Sequence, residues 1–568
     1  MTNSCGLYRS EFEHDACGVG FIAHIKGQKS HSIVSQALDV LKNLRHRGAV
    51  GADPLQGDGA GILIQIPDQL YRDDMMNQGV KLPPAGEYGV GMVFLPQEAA
   101  SRHACEEEIE RAVAAEGQMI LGWRDVPIDR SMPMSPVVRE KEPVIRQVFI
   151  GHSPDVLVTD ALERKLYIIR RLAEKKIIPL SEGMGTDFYI ASLSSRTIVY
   201  KGMLTSEQLR HFYLDLSDLD YKTAMAMVHS RFSTNTMPSW ECAHPNRFIL
   251  HNGEINTIRG NVDRMLAREE TMESPVMQED IDKILPVITV SGSDSAMLDN
   301  TLEFLVMNGV ELPLAVMMTI PEPWRHDKNI SREKRDFYHY YSTMMEPWDG
   351  PASILFTDGD TVGAVLDRNG LRPSRYYITT DDNLILSSEV GVLDIPAEKI
   401  KLKSRIQPGK MLLVDTKAGR LISDSECKNY YATRKPYGEW LDGHLVELAQ
   451  LPIPNKKVEN HTQEERDRLY KAFGYSYEDV KNAILPMAKN GAEATASMGI
   501  DVPLAVLSDK HQPLFNYFKQ LFAQVTNPPL DAIREEIVTD TCVYVGSDGN
   551  LLEEKAENCN VLEIHNPI

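Results

Sequence analysis

The sequence has no long apolar run and little cysteine. Apolar stretches such as Gly61-Ile62-Leu63-Ile64 fall far short of the ~20 residues that a membrane-spanning helix requires. The seven cysteines, at positions 5, 17, 105, 242, 427, 542 and 559, are widely scattered and include no C-x-x-C pair. This usage argues against a disulfide framework and suits a reducing compartment. We therefore expect a soluble, cytoplasmic protein with free thiols and no membrane association.

The sequence also contains fewer basic than acidic residues. The chain carries 60 lysine and arginine residues against 81 aspartate and glutamate residues, a formal net charge of −21. An acidic surface repels nucleic acid and anionic lipid, which argues against both as the main partner. Small solutes and other proteins remain. With 568 residues, the chain is long enough for more than one domain, since a domain usually holds roughly 100–200 residues.

Residues 1–16 are predicted to be a leader that is removed in place. They are acidic, with Arg9 as their one lysine or arginine, and they lack the apolar centre of a secretory signal. Cleavage after Ala16 would make Cys17 the N-terminal residue. An α-amino group titrates near pH ~8 and a free thiol near ~8.5, so the amine would serve as the base for its own thiol. In the uncleaved chain this nitrogen is an amide, and the precursor would be inert.

The apolar pattern that follows Cys17 predicts a half-buried strand. Val19, Phe21, Ala23 and Ile25 alternate with a period of two residues, which places the cysteine at the start of that strand. The position suits a nucleophile at the end of a sheet.

Other segments indicate an α+β fold with large antiparallel sheets. Residues 33–44 have the apolar periodicity of a helix. Tight turns at Asp358-Gly359 and Asn369-Gly370 favour antiparallel pairing over repeated strand–helix–strand crossovers. Further strand-like segments are residues 61–66, 90–95, 198–200, 224–228, 248–250, 353–356 and 384–386.

The character of the sequence changes over residues 428–470. This stretch is rich in Tyr, Lys, Pro, Asn and clustered charge, and we place a domain boundary there. Beyond it, apolar residues recur at helical spacing over residues 514–525 and stop at Asn527-Pro528-Pro529. We interpret this helix as a core or interface element.

Three further motifs favour ordinary interpretations. Residues 18–23 match the dinucleotide fingerprint G-x-G-x-x-[GA], but they lie inside a predicted strand and do not open a helix. Residues 57–61 are glycine-rich without the Gly-Lys-Ser/Thr of a phosphate loop, which favours a turn or a loop at the edge of a substrate site. The histidines near Cys242 fit no zinc module, and no metal site is expected. They are His229, His244 and His251.

Three polar residues and one glycine could support chemistry at Cys17. Arg231 follows an apolar strand and carries a guanidinium fork that matches a carboxylate. Asn252-Gly253 is a favoured hairpin turn, but the Asn252 amide and the Gly253 N–H can also converge as an oxyanion hole. Asp294, taken alone, is an ordinary turn or capping aspartate. A lone Cys17 would likewise be a buried structural thiol.

Taken together, these residues lie in motifs that resemble those of the class II glutamine amidotransferases, and more specifically the large (α) subunit of glutamate synthases. The resemblance covers nearly the whole chain. The amidotransferase motifs are Asp15-Ala16-Cys17-Gly18-Val19-Gly20-Phe21, Leu44-Arg45-His46-Arg47-Gly48-Ala49, Gly57-Asp58-Gly59-Ala60-Gly61-Ile62-Leu63, residues 229–236, His251-Asn252-Gly253-Glu254-Ile255-Asn256-Thr257, Glu346-Pro347-Trp348-Asp349-Gly350-Pro351-Ala352, Asp367-Arg368-Asn369-Gly370-Leu371-Arg372-Pro373 and Ser387-Ser388-Glu389. Motifs that resemble the start of that subunit's central domain are Phe473-Gly474-Tyr475, Ser497-Met498-Gly499 and Gln524-Val525-Thr526-Asn527-Pro528-Pro529.

The resemblance implies an N-terminal-nucleophile hydrolase fold. This fold is a four-layer αββα sandwich, here followed by a partial α/β central domain. The implied divisions are a leader over residues 1–16, an amidotransferase domain over 17–435, a linker over 436–470 and an incomplete central domain over 471–568.

The resemblance also implies a reaction and a set of site residues. Glutamine is hydrolysed to glutamate and ammonia through a thioester on the cysteine. The implied catalytic residues are Cys17, Asn252 and Gly253. The implied substrate contacts are Arg231 with the α-carboxylate of glutamine, Asp294 with its α-ammonium group, and Arg47 and Thr234 near the bound substrate.

In this family, ammonia passes to a second site that aminates 2-oxoglutarate reductively. We expect no cofactor in this chain, with FMN and an iron–sulfur cluster only in the absent synthase portion. Implied partners besides L-glutamine are a separate flavin-containing synthase chain and a NAD(P)H-oxidising small subunit. Two alternatives stay open: an N-terminal-nucleophile hydrolase of other amides, and an unprocessed, inert structural or regulatory fragment.

Overall fold

The computed structural model describes residues 17–154, 156, 160–181, 188–233, 237–452, 460–491, 494, 509, 542–546 and 549–565. These residues divide into two compact units. The first holds the described residues up to Leu448 and those from 542 onward, and the second holds those between 449 and 530. The predicted leader, Thr234 and the predicted helix over 514–525 lie outside the described residues.

The first unit is built mainly on antiparallel sheets. Its strands, in chain order, are β1 Gly18–His24, β2 Ala60–Gln65, β3 Tyr88–Leu95, β4 Met119–Asp125, β5 Val144–Gly151, β6 Tyr189–Ser194, β7 Thr197–Gly202, β8 Met225–Ser230, β9 Ile249–Gly253, β10 Ala352–Thr357, β11 Thr361–Leu366, β12 Arg375–Thr379, β13 Asn383–Ser387, β14 Ile400–Arg405, β15 Met411–Asp415, β16 Arg420–Ile422, β17 Val446–Glu447, β18 Val543–Gly546 and β19 Val561–Ile564. Every strand-like segment predicted from the sequence coincides with one of them.

The helices of the first unit are α1 His31–Asn43, α2 Asp68–Asn77, α3 Ala99–Ala115, α4 Pro136–Glu140, α5 Asp160–Ser181, α6 Gln208–Phe212, α7 Ile258–Arg268, α8 Ile281–Ile284, α9 Asp294–Met307, α10 Leu312–Thr319, α11 Arg332–Ser342, α12 Asp424–Thr433 and α13 Tyr437–His444. The helix predicted over residues 33–44 corresponds to α1. In the described part of the chain, we find no helix that combines the length and the apolarity needed to cross a membrane.

Two large sheets form the centre of this unit. One has seven strands in the order β14-β12-β13-β1-β8-β2-β7, and the other has five in the order β16-β15-β11-β10-β9. Neighbouring strands in both sheets are antiparallel. A four-stranded sheet, β4-β5-β3-β6, and a three-stranded sheet, β17-β19-β18, complete the described sheets.

The two large sheets pack face to face between helices. Their inner faces share one apolar core, to which β1 contributes Phe21 and β10 contributes Leu355. The outer face of the seven-stranded sheet is covered by α1, and that of the five-stranded sheet by α9, α10 and α11. This arrangement confirms the predicted α+β class and the four-layer αββα sandwich.

The strand after Cys17 differs from its prediction in one respect. The alternating apolar residues of β1 do face the five-stranded sheet, but the other face is buried as well. Helix α1 packs closely there: a Cβ on Gly18 would lie 2.8 Å from Cβ of Leu44, and one on Gly20 would lie 3.1 Å from Cγ1 of Val40. The prediction of a half-buried strand was therefore wrong, because the two glycines admit a helix against the second face.

The region around the predicted linker is distributed over both units. Helix α13 buries Tyr437 and Leu441 in the core of the first unit, and strands β18 and β19 belong to that unit as well. The second unit contains α14 Gln463–Ala472, a π-helical turn Asp479–Ile484 and α15 Leu485–Asn490 among its described residues. The linker over 436–470 and the central domain over 471–568 stay predictions.

Candidate active site

The candidate nucleophile lies where two central strands of the seven-stranded sheet meet. Gly18 at the start of β1 pairs with Ser230 at the end of β8, so Cys17 and Arg231 lie at the same end of the sheet. The Phe232 N–H donates to Sγ of Cys17 at 3.3 Å, and this thiol contacts the Phe232 carbonyl oxygen at 3.4 Å. The chain beyond β8 thus holds the thiol in place.

The electrostatic setting of Cys17 keeps the thiol protonated in the uncleaved chain. Burial raises its pKa to about 11, although the Phe232 N–H and the positive charges of Arg231 and Arg372 act in the opposite direction. The carboxylate of Asp58 adds to the increase in pKa. A thiol in this setting needs a base to become a nucleophile at neutral pH.

Arg231 is a buried cation that is held by Asp58. Its Nη1 donates to Oδ1 of Asp58 at 3.1 Å and to the Asp58 backbone oxygen at 3.3 Å. The second carboxylate oxygen, Oδ2, accepts the Ser233 N–H. Burial raises the pKa of Asp58, while the charge of Arg231 opposes that effect. Asp58 therefore fixes both the guanidinium and the loop that carries the thiol's backbone partner.

Asn252 and Gly253 end strand β9 of the facing sheet and do not form a two-residue hairpin. They pair with Ser353 and Ala352 of β10. Gly253 has φ +141°, and a Cβ there would lie 1.8 Å from the Pro351 carbonyl oxygen. No other residue type fits this position, and the hairpin interpretation of Asn-Gly is excluded here.

A cross-sheet hydrogen bond brings the ends of β8 and β9 together. His229 Nε2, two residues before Arg231, donates to the backbone oxygen of His251 at 2.9 Å. Because a carbonyl only accepts, Nε2 carries the proton in this tautomer. Arg231, two residues after His229, and Asn252, directly after His251, are thereby placed at the same end of the sandwich.

Asp294 is the first residue of α9 and is tied to the segment after β9. Its Oδ2 accepts the Ile255 N–H at 3.0 Å, and its Oδ1 accepts the Ser295 N–H at 2.7 Å. Ser293, whose side chain accepts the Ala296 N–H, caps the helix, so Asp294 is not the capping residue. Its charge acts on His251, next to Asn252. The structure therefore groups Asp294 with the Asn-Gly pair.

Arg47 lies beside the start of β1, and an acidic residue holds its side chain. A Cβ on Gly18 would lie 3.2 Å from Cβ of Arg47. The Nε of Arg47 donates to Oε1 of Glu389, which also contacts Nε2 of His46 at 2.8 Å. Thr234, the remaining predicted substrate contact, lies outside the described residues.

The sequence analysis missed three charged residues at this site: Asp58, Arg372 and Glu389. The Nε of Arg372 donates to the Pro351 oxygen at 3.4 Å, and this is the carbonyl against which Gly253 packs. Its charge lowers the pKa values of both Cys17 and His251. Arg372 is therefore close to both the thiol and the Asn-Gly pair. All three residues fall in the motifs quoted above, but no local pattern singles them out.

The buried histidines of this region do not form a metal site. The rings of His229 and His244 stack with centroids 4.4 Å apart, and burial lowers the pKa of His229 to about 3. Burial also lowers the pKa values of His244 and His251. Within the described residues, these histidines and Cys242 do not bring three ligand atoms together. They are neutral core residues behind this end of the sheet.

The other sequence motifs have structural roles. Residues 18–23 lie wholly within β1, which excludes the dinucleotide fingerprint because no helix opens there. The glycine-rich segment over 57–61 enters β2 and presents Asp58 to Arg231, which agrees with a loop at the edge of the site.

Comparisons with known proteins agree with the geometry. Residues 17–440 match the family described as glutamine amidotransferases class-II, and residues 468–568 match the glutamate synthase central domain. The large chain of glutamate synthase [NADPH] from Bacillus subtilis is 52% identical over 100% of this chain and 37% of its own length.

Two further relatives are similar over nearly the whole chain. Glutamate synthase [NADH] from Schizosaccharomyces pombe is 44% identical over 99% of this chain and 27% of its own length. Ferredoxin-dependent glutamate synthase 2 from Synechocystis sp. is 43% identical over 98% of this chain and 35% of its own length. The chain thus spans between 27% and 37% of the length of these relatives. By the family match over residues 17–440, the chain belongs to the class II glutamine amidotransferases.

Proposed function

We propose that this chain is the glutaminase portion of a glutamate synthase and hydrolyses L-glutamine to L-glutamate and ammonia at Cys17. The observation that carries the proposal is the meeting of three strand ends. Cys17 precedes β1, Arg231 follows β8, and Asn252-Gly253 ends β9, with the bond between His229 and His251 joining the last two strands. A thiol, a carboxylate-binding cation and two oxyanion donors are the parts that this reaction needs.

Removal of residues 1–16 supplies the base in this proposal. With a pKa of about 11, roughly one Cys17 thiol in 10⁴ is ionised at pH 7. A free α-amine on the same residue would accept the thiol proton and, once protonated, add a positive charge beside the sulfur. Both effects favour the thiolate. The uncleaved chain has neither.

The reaction proceeds by attack of the Cys17 thiolate on the carboxamide carbon of glutamine. The carbon–sulfur bond forms as the carbonyl π electrons move to oxygen, and the Asn252 side-chain amide and the Gly253 N–H donate to that oxyanion. Collapse breaks the carbon–nitrogen bond, and the leaving nitrogen takes a proton from the α-ammonium group and departs as ammonia. Water then hydrolyses the γ-glutamyl thioester and regenerates the thiol.

The charged residues select a free amino acid. Arg231 pairs with the α-carboxylate of glutamine and Asp294 with its α-ammonium group. Asp58 orients Arg231, in keeping with their 3.1 Å contact. Arg372 places a positive charge near the thiol and the oxyanion donors. Arg47, supported by Glu389, and Thr234 contribute near the bound substrate.

In the longer proteins, the ammonia would be used by a synthase portion. The names of the similar relatives specify NADPH, NADH or ferredoxin. We propose that ammonia from Cys17 serves the reductive amination of 2-oxoglutarate in such a portion, which would hold FMN and an iron–sulfur cluster. A flavin-containing synthase chain and a NAD(P)H-oxidising small subunit are the corresponding partners, and we propose a cytoplasmic location.

A substrate panel tests this function. The chain with Cys17 at its N-terminus, as checked by intact mass, is assayed for hydrolysis of L-glutamine, D-glutamine and several N-acylated amines. We expect L-glutamine to be hydrolysed at least tenfold faster than every other compound, with equal amounts of glutamate and ammonia. Faster hydrolysis of an acylated amine would support the alternative enzyme class. A processed chain that hydrolyses none of them would support the inert fragment.

A further inference from the structure

A second group of polar side chains lies at the edge of the three-stranded sheet, away from Cys17. The thiol of Cys542, a carboxylate oxygen of Glu563 and a ring nitrogen of His565 all lie within 4.8 Å of one another. Strands β18 and β19 produce this grouping, because Val543 pairs with Ile564 in the antiparallel register. Cys542 and His565 are therefore cross-strand neighbours.

Two of the three separations between these atoms match those of metal ligands, and the third, between Cys542 and His565, is within 4.8 Å. Sγ of Cys542 lies 3.5 Å from Oε1 of Glu563, and Nε2 of His565 lies 3.5 Å from the same oxygen. With Zn–S of about 2.3 Å and Zn–O and Zn–N of about 2.0–2.2 Å, tetrahedral geometry separates ligand atoms by roughly 3.3–3.6 Å. One ion could thus reach all three side chains with small rotations.

A second layer of residues holds the carboxylate. Glu563 has a side chain that is 3% exposed, and its other oxygen, Oε2, lies 3.2 Å from Nε2 of His339. The Tyr544 hydroxyl donates to Oε1 of Glu563 at 3.2 Å and contacts Oγ of Ser342 at 3.0 Å. Ligands in protein metal sites are oriented by outer partners of this kind.

We propose that Cys542, Glu563 and His565 bind one zinc-like divalent ion, with a fourth position left open. A thiolate, an imidazole and a carboxylate favour zinc over magnesium or calcium, which prefer oxygen ligands alone. His565 is half-exposed, so an ion has a path from solvent. Cys542 and Tyr544 also line a cavity of about 740 Å³, whose wall includes Trp324.

No metal site was predicted from the sequence, because the three side chains come together only in the folded chain. Glu563 lies in β19, and His565, two residues later, directly follows the end of that strand. Their third partner, Cys542, is 21 positions away from Glu563 and meets it only through strand pairing. Occupancy of this site does not depend on glutamine hydrolysis.

Metal titration of the untagged, metal-stripped chain tests the proposal. We expect one equivalent of Zn²⁺ to bind with sub-micromolar affinity. Co²⁺ at the same site should give the near-ultraviolet absorption of a thiolate–cobalt bond. Cys542→Ser should abolish that band, and His565→Ala should weaken Zn²⁺ binding at least about 100-fold. His339→Gln should weaken it about 10- to 100-fold, as outer-partner changes do.

Matched controls separate this site from other thiols and histidines. Cys242→Ser removes another half-buried thiol, and His103→Ala removes a histidine whose side chain is 73% exposed. Both should bind Zn²⁺ as the unaltered chain does. The absence of a thiolate–cobalt band in the unaltered chain would overturn the proposal even if a variant misfolds. Stoichiometric Zn²⁺ binding that Cys542→Ser leaves intact would overturn it as well.

Discussion

Two half-buried thiols of this chain, Cys17 and Cys542, differ in the charged side chains that surround them. Cys17 lies near the cations Arg231 and Arg372 and the carboxylate of Asp58, and its Sγ contacts the backbone N–H and the carbonyl oxygen of Phe232. Cys542 faces the carboxylate of Glu563. The two arginines oppose the effect of burial on the pKa of Cys17 and favour its thiolate once a base is present, whereas a thiolate at Cys542 would need a bound cation beside it.

The fully buried thiols provide a third case. Burial raises the pKa values of Cys105, Cys427 and Cys559 to about 11, 12 and 11, and nearby carboxylates raise them further. Lys428 lowers the pKa of Cys427, but neither Arg231 nor Arg372 is among the causes that act on these three thiols. Because the pKa of Cys17 is also raised to about 11, burial alone does not distinguish a reactive cysteine from a structural one.

The largest expected effect is the loss of glutamine hydrolysis when Cys17 is replaced, which distinguishes its role from that of Cys542. Cys17→Ser should lower the kcat for glutamine hydrolysis at least about 10³-fold, because a nucleophile acts as a unit with its base. The same variant should bind Zn²⁺ as before. The control Cys242→Ser should keep its glutaminase activity. Steady-state ammonia release checks the effect on hydrolysis, and metal titration checks the effect on Zn²⁺ binding. Near-normal hydrolysis by Cys17→Ser would show that Cys17 is not the nucleophile.

Loss of an oxyanion donor should have the next largest effect. Asn252→Ala is expected to lower kcat by roughly 10²- to 10³-fold with little change in KM, since this contact strengthens in the transition state. Asn429→Ala, on the exposed face of α12, is the matched control. If Asn252→Ala retained near-full kcat, Asn252 would not be an oxyanion donor.

Loss of a contact with the substrate should raise the KM for glutamine. Arg231→Lys is expected to raise KM for glutamine about 10- to 100-fold, because an ammonium group cannot reproduce the guanidinium fork. Asp58→Asn should raise KM by less, since it loosens Arg231 without removing the cation. Arg45→Lys, on an exposed ion pair with Glu207, is the control. Unchanged glutamine affinity in Arg231→Lys would contradict the carboxylate assignment.

The smallest expected effect concerns the histidines behind the Cys17 site. The folded-state pKa of His229 is lowered from 6.5 to about 3. Below pH 6.5 the unfolded chain therefore takes up a proton that the folded chain does not, and stability present above pH 6.5 is lost as the pH falls towards 3. His229→Gln, which keeps a donor for His251, should reduce this loss by up to about 1.4 kcal/mol per pH unit.

Urea unfolding at several pH values between 7 and 4 measures this difference. Asp299 acts in the opposite sense, because burial raises its folded-state pKa to about 6, but it is common to both proteins and cancels in the comparison. Parallel curves for the two proteins would show that His229 titrates normally in the folded chain.

Much of the fold could be predicted from the sequence, because the strands and helices of the sandwich each show their own periodic pattern of apolar residues. The period of two in β1 and the helical period of α1 are properties of single segments. The second buried face of β1 was missed, because a glycine says nothing by itself about what approaches it. Only the packing of Val40 and Leu44 shows that these glycines admit a helix.

The candidate site was predictable in part for the same reason. Cys17, Arg231 and Asn252 stand out by their motifs, and the structure brings the ends of their strands together. Asp58 and Arg372 act through contacts with residues more than a hundred positions away or through a backbone carbonyl, which no local pattern reveals. The pairing of Cys542 with Glu563 likewise needs the register of two strands.

The most direct test of the central claim compares the two forms of one preparation. Chains that begin at Met1 and chains that begin at Cys17 are separated, identified by intact mass, and assayed for ammonia release from glutamine. We predict that activity belongs to the form that begins at Cys17 and is at least about 100-fold lower in the uncleaved form, because only the cleaved form carries a base beside its thiol. Equal activity in the uncleaved form would contradict the account.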